Sequence, residues 1–166
     1  SLPDTPPPGR RGTAHESIAP YQAFKCQDGE YFVIGTGNDA QFRKLCEMLG
    51  KPELAYDERF LTNGDRVTAR DELIPLLNVL FANKTRDEWW GLIGGHGFPC
   101  GPVRNVKEAF DCEQAKHRNM TLEMDHPVAG HINVPAHPAK FSRTALADGI
   151  NAPVLPPPML GEHTEE

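Results

Sequence analysis

Residues 21–49, YQAFKCQDGEYFVIGTGNDAQFRKLCEML, carry the change from strand to helix periodicity that decides the fold class. Tyr21-Gln-Ala-Phe24 and Tyr31-Phe-Val-Ile34 are short runs of β-forming residues. Asp28-Gly29 between them is the dipeptide that supplies positive φ to a two-residue hairpin turn. Gly35-Thr36-Gly37 ends the second run, and Asn38 or Asp39 offers a side-chain oxygen to cap a helix. Phe42, Leu45, Met48 and Leu49 recur on one face of that helix, and Gly50 and Pro52 stop it. An antiparallel hairpin feeding a helix predicts an α+β chain.

The same signals continue downstream. Thr62 to Ala82 is a helical region with Leu73, Leu76, Leu77, Leu80 and Phe81 as its buried stripe. Pro75 inside it predicts a break into two helices. Thr85-Arg-Asp-Glu88 is a capping box, opening a helix that turns Trp89, Leu92 and Ile93 inward. Asn105-Val-Lys-Glu108 predicts another helix start, and Met120–Asp125 with His131–Val134 alternate around Pro127 and Gly130 as a second hairpin. Five of the sixteen prolines fall in residues 1–20 and seven between Pro127 and Pro158, so two stiff, extended arms flank an ordinary globular middle. Gly161-Glu-His-Thr164-Glu-Glu166 has the chemistry of a helix start, and with the leading proline stretch the sequence reads as a piece of a longer protein.

Composition narrows the chemistry. At 166 residues the chain supports one hydrophobic core. Its 23 acidic against 17 basic residues offer no basic stretch to neutralise phosphates, so no nucleic-acid partner is expected. No run approaches the ~18 apolar residues of a membrane span, so no membrane partner is expected either, and no charged-then-apolar leader opens the 166 residues. Cys26, Cys46, Cys100 and Cys112 form no CxxC pair and read as reduced thiols of an intracellular protein. His126, His131 and His137 share one hairpin, but their spacing matches no ligand pattern and solvated side chains explain them, so no metal is expected. HExxH, GxSxG and P-loop sequences are absent. Gly35-Thr-Gly-Asn-Asp-Ala40 matches the G-x-G-x-x-G/A phosphate loop, yet the preceding hairpin is not a βαβ unit and a plain turn suffices. Asp39 fits either a catalytic carboxylate at a helix start or a cap, and Cys100 between prolines reads as a packed thiol.

The motifs say more together. Arg10-Arg-Gly-Thr-Ala-His15, Ile18-Ala-Pro-Tyr-Gln22, Gly37-Asn-Asp-Ala-Gln-Phe42, Thr62-Asn63, Gly97-Phe-Pro-Cys-Gly-Pro-Val103 and Pro156-Pro-Pro-Met-Leu-Gly-Glu-His-Thr164 occur in one order over residues 10–164. That series resembles the family III CoA-transferases, the CaiB/BaiF type, which also include an α-methylacyl-CoA racemase branch.

The resemblance implies part of a two-domain α/β protein that pairs as an interlocked homodimer. Residues 1–20 correspond to a linker and substrate loop, 21–112 to the small domain, and 113–166 to the return linker and the start of the segment rejoining the large domain. In such proteins the large domain binds coenzyme A and supplies an aspartate that forms acyl-aspartyl anhydrides. No aspartate of this chain matches that nucleophile, so no catalytic residue is expected within it. Coenzyme A thioester is implied as substrate, with no tightly bound cofactor, in the cytoplasm or mitochondrial matrix. The expected activity is transfer of CoA between carboxylic acids, dicarboxylates such as succinate and glutarate by the Thr-Ala-His and Pro-Tyr-Gln-Ala-Phe neighbourhood. Racemisation of acyl-CoA is the alternative for the whole protein, and a non-catalytic dimerisation module for these residues alone. A mobile, often glycine-rich loop precedes the small domain in the family; Gly12–Ala19 matches it but holds one glycine. Gly12, Thr13, His15, Gln22 and Asp39 are the implied substrate-side residues; His15 and Gln22 serve equally well as acyl-carboxylate contacts or as fasteners of the linker.

Overall fold

The structure, a computed structural model, describes residues 9–141 and 156–164. The expected arms over 1–8 and 142–155, and the final acidic pair of the C-terminal helix start, lie outside the described residues. The chain divides into two compact units, Ser1–Val103 and Arg104–Glu166.

In the first unit, β1 (Tyr21–Lys25) and β2 (Tyr31–Gly35) pair antiparallel with Phe24 opposite Phe32 and Tyr21 opposite Gly35. The turn is one residue longer than Asp28-Gly29 alone predicts. Cys26 still donates to the Glu30 carbonyl at 2.8 Å, and Gly29, at φ +84°, closes on the Cys26 carbonyl at 3.0 Å. A three-residue loop with glycine in the left-handed region is the next most favoured hairpin connection. Asn38, not Asp39, caps helix α1 (Asp39–Met48), accepting from the Gln41 amide at 2.9 Å. A 3₁₀ turn over Pro52–Tyr56 follows.

Helices α2 (Asn63–Thr68) and α3 (Arg70–Phe81) are indeed two, but they part at Ala69 rather than at Pro75. Pro75 sits inside α3, in its second turn. Pro75 and Asp71 are both exposed, so the Asp71 carbonyl left without a donor stays open to water and the helix survives. The buried stripe is also narrower than predicted. Leu73, Leu77 and Phe81 are fully buried, whereas Leu76 is 41% exposed, and in α4 (Arg86–Ile93) Trp89 and Ile93 point inward while Leu92 does not. One neighbouring layer covers only residues spaced three and four apart, and the flanking apolar positions turn to solvent. Strand β3 (Cys100–Pro102) completes the sheet in the order β1-β2-β3, antiparallel to β2.

The core fills the space between this sheet and the helices. Phe24 stacks on Phe81 with centroids 4.6 Å apart, and Phe81 meets Trp89 at 5.1 Å. Fully burying one such side chain contributes roughly 1.5–3 kcal/mol, so the aromatic cluster is a principal source of this unit's stability.

The second unit holds α5 (Val106–Asp111) behind the expected Asn105 capping box, α6 (Glu113–His117), and the hairpin of β4 (Thr121–His126) and β5 (Gly130–Pro135). His126 is spent on the turn, its Nδ1 accepting from the Val128 and Ala129 amides at 3.1 and 3.0 Å.

Candidate functional site

Of the sequence-selected residues, Gly12, Thr13 and His15 lie along the free edge of β1, Gln22 within that strand, and Asp39 at the start of α1. The chain from Gly12 to Pro20 lies beside that strand. Thr13 Oγ1 accepts from the Ala23 amide at 3.1 Å, and the His15 amide donates to the Tyr21 carbonyl at 2.9 Å. Gly12 takes φ +61° at the start of this stretch. An exposed edge strand invites pairing with foreign chain, and this stretch covers it.

His15 is placed by stacking. Its ring lies on Tyr21 at 5.3 Å and 13°. Tyr21 in turn lies flat over Gly35, where any Cβ would meet the phenol ring at 3.2 Å. A side chain at Gly35 would push this ring back by a few tenths of an ångström, so the first glycine of Gly35-Thr-Gly37 suits the close approach of Tyr21 without any appeal to phosphate binding. The remainder of that turn is satisfied internally: the Gly37 amide donates to Gln41 Oε1 at 2.7 Å, and Gln41 Nε2 donates to the Gly97 carbonyl at 3.1 Å.

Successive strand side chains alternate between faces, so Gln22 points away from Tyr21, toward α3. There it lines an open cavity of about 270 Å³ with Arg70, Asp71, Ile74 and Pro75. The structure thus brings Gln22 to a pocket that Arg70 also lines and leaves His15 on the opposite face of the sheet. A second cavity, of about 400 Å³, lies in the other unit between Phe110 and Pro135 and contains none of the sequence-selected residues.

Asp39 meets a residue that sequence reasoning missed. Arg66 is fully buried, and its Nη2 donates to Asp39 Oδ1 at 2.8 Å. Its other donors reach the carbonyls of Ala19 at 2.7 Å and Phe60 at 3.0 Å, and the guanidinium lies 4.4 Å from the centroid of the Phe42 ring. Two further residues, Asn63 and Arg70, bind the same covering stretch. They are spaced i, i+3, i+7 with Arg66, and only Thr62-Asn63, within the ordered motif set, pointed to this place.

The remaining candidates are Cys100 and the hairpin histidines. Burial pushes the Cys100 thiol up from its ordinary value, the reverse of what a nucleophile needs. His131 lies against Asp125 at 3.2 Å, and among the described residues no group of three or more His, Cys, Asp or Glu is placed to hold a metal ion. No helix among them is long and apolar enough to cross a membrane.

A small antiparallel sheet backed by helices is the α+β architecture the motif series implied. The sequence matches CoA-transferase family III over residues 2–164, and the chain belongs to that family. It is 43% identical over 155 residues to mouse succinyl-CoA:glutarate CoA-transferase, covering 93% of this chain and 34% of that protein. It is 31% identical to the succinate–glutarate CoA-transferase of Agrobacterium fabrum, covering 95% of this chain and 38% of that protein. Among solved structures, a CaiB/BaiF family protein from Brucella suis superposes with a TM-score of 0.71 at 41% identity, over 82% of this chain and 34% of that one. The chain therefore spans about a third of the length of the relatives it matches.

Proposed function

We propose that the chain forms the small-domain part of a CoA-transferase that moves CoA between carboxylic acids, with dicarboxylates of the succinate and glutarate type as the acids. The observation that carries this reading is the Gln22–Arg70 pocket in a chain whose relatives include succinyl-CoA:glutarate CoA-transferases. A guanidinium and an amide at one opening suit a carboxylate, because an arginine presents several donors in a fixed plane. Gln22 and Arg70 receive the far carboxylate of the acid, and the charge of Arg70 offsets that of Asp71, which lines the same pocket.

In this reading the nucleophile is an aspartate beyond residues 1–166. Its carboxylate oxygen attacks the acyl carbon of the donor thioester, the C–S bond breaks, CoA leaves as thiolate and a mixed anhydride forms. An anhydride open to solvent hydrolyses. The contribution of this part is to cover that intermediate with the Gly12–Ala19 stretch and to select the acid. His15, stacked on the opposite face, fastens the stretch and does not touch the acid. Asp39 serves as the counter-charge of Arg66. The whole protein acts as a homodimer, and coenzyme A enters and leaves as substrate.

The test is made on the full-length chain that contains these residues. Purified protein is given succinyl-CoA and glutarate, and the CoA esters are separated by chromatography. Glutaryl-CoA formation is expected, with Gln22→Ala raising KM for the acid by about tenfold, the effect of ~1.4 kcal/mol of lost uniform binding. Residues 1–166 alone are expected to give no turnover. Failure of every acyl-CoA and acid pair, with epimerisation of an α-methylacyl-CoA instead, would refute the transferase reading.

A further inference from the structure

Asn63, Arg66 and Arg70 form a ladder of side chains along α2 and the start of α3, and all three grip main-chain atoms of Glu16–Ala19. Asn63 Nδ2 donates to the Ser17 carbonyl at 2.8 Å, and its Oδ1 accepts from the Ala19 amide at 3.2 Å. Arg66 Nε holds the Ala19 carbonyl at 2.7 Å. Arg70 Nη2 reaches the carbonyls of Glu16 at 3.0 Å and Ile18 at 3.3 Å. Below the ladder, Thr36 takes the Pro20 carbonyl with its hydroxyl at 3.2 Å and its amide at 3.0 Å.

The grip is uneven. From Gly12 to His15 the stretch is held by two hydrogen bonds to β1 and one ring stack, whereas from Glu16 to Pro20 nearly every carbonyl is taken by a side chain. Arg66 is buried, so it is part of the core. Arg70 is half-buried, donates to the stretch, and also lines the Gln22 pocket. It is the one rung that touches both the cover and the proposed acid site.

We infer that Arg70 is a positioning residue for transfer: by holding Glu16 and Ile18 it sets the Gly12–His15 cover in its closed place and couples that place to the pocket. This rests on the transferase reading above. When the cover loosens, water attacks the acyl carbon of the mixed anhydride and the acyl–oxygen bond to the aspartate breaks. The aspartate carboxylate and the free acid are released, and a proton goes to solvent. The acyl group is then lost instead of transferred.

Two measurements on the full-length chain test this. Deuterium uptake is followed over peptides covering residues 12–20 and, as an internal reference, 73–81. In parallel, the share of succinyl-CoA consumed by hydrolysis rather than transfer to glutarate is measured. Arg70→Ala is expected to raise uptake over 12–20 only and to raise the hydrolysed share about tenfold, the population change that ~1.4 kcal/mol of closure energy gives. Arg70→Lys, which keeps the charge but gathers its donors on one nitrogen, is expected to fall between the wild type and Arg70→Ala. Asn63→Ala, a rung away from the pocket, is expected to raise uptake and hydrolysis while leaving KM for the acid unchanged. A wild-type chain that transfers, with variants whose hydrolysed share stays at the wild-type value, overturns the inference even if uptake rises, since Arg70 would then be a structural fastener alone. A wild-type chain with no transfer defeats the functional reading, and the inference falls with it.

Discussion

Replacing Arg66 by methionine separates what a buried cation does from what its visible salt bridge suggests. The guanidinium is fully buried, while the side chain of its partner Asp39 is 43% exposed. Removing Arg66 leaves the carbonyls of Ala19 and Phe60 without donors in buried surroundings. Each such orphan costs about 1–3 kcal/mol. The lost contact with the Phe42 ring adds ~1 kcal/mol. Against this stands relief of the cost of burying the guanidinium itself, which methionine does not incur. The balance is a loss of about 3–5 kcal/mol, the size seen when one partner of a buried ionic network is removed. Asp39→Asn leaves every carbonyl satisfied and keeps an oxygen for the guanidinium, but takes a half-exposed counter-charge from a buried cation, so it is expected to cost about 1–2 kcal/mol. Urea unfolding followed by tryptophan fluorescence reports on this unit, because Trp89 is buried in its core. With m unchanged, the midpoint of Arg66→Met should fall further than that of Asp39→Asn. Equal midpoints would refute the reasoning, since the arginine would then contribute nothing beyond its ion pair.

Three further outcomes follow from the packing and the titrating groups. Phe81→Ala removes a fully buried ring between Phe24 and Trp89 and is expected to destabilise by about 3–5 kcal/mol in the same urea measurement. Hydrogen bonds from Arg59 hold the Asp57 carboxyl down at about 2. Its folded form thus binds the proton less readily than the unfolded chain, and its stabilising share, full above the ordinary carboxylate range, is lost as pH falls through about 2. Asp57→Asn should flatten that acid limb in melting curves taken between neutral pH and pH 2. Burial pushes the Cys46 thiol up to about 12. The unfolded chain loses that proton first, so stability declines as pH rises above about 9, and Cys46→Ser should show a shallower alkaline decline; native Cys46 should also resist iodoacetamide until the protein unfolds.

Much of the fold was legible because its signals are local. The hairpin around Gly29, the cap at Asn38 and the capping boxes at Thr85 and Asn105 each depend on residues within five positions of one another. What the sequence concealed depends on distant partners. Strand β3 has three residues, Cys100-Gly-Pro102, with no alternation to betray it; it exists because β2 offers a free edge. The break at Ala69 was hidden for the same reason: it turns Arg70 toward Glu16, a partner 54 residues away. Arg66 drew no reading in the sequence because charge is normally solvated, and nothing in its local pattern announces the carbonyls of Ala19, Phe60 and Leu61 that receive it. Of the proposed site, Gln22 and Asp39 were found through motif resemblance, whereas Arg66 and Arg70 emerged only when the fold brought them to those motifs.

The ladder on the covering stretch touches main-chain atoms alone. Asn63, Arg66 and Arg70 bind the carbonyls of Glu16, Ser17, Ile18 and Ala19 and one amide, and every residue type but proline presents those same groups. The anchor is therefore blind to the side chains it holds. Glu16 and Ser17, both exposed, can be rewritten in a library while the path of the stretch is kept. That separates where the stretch lies from what it displays.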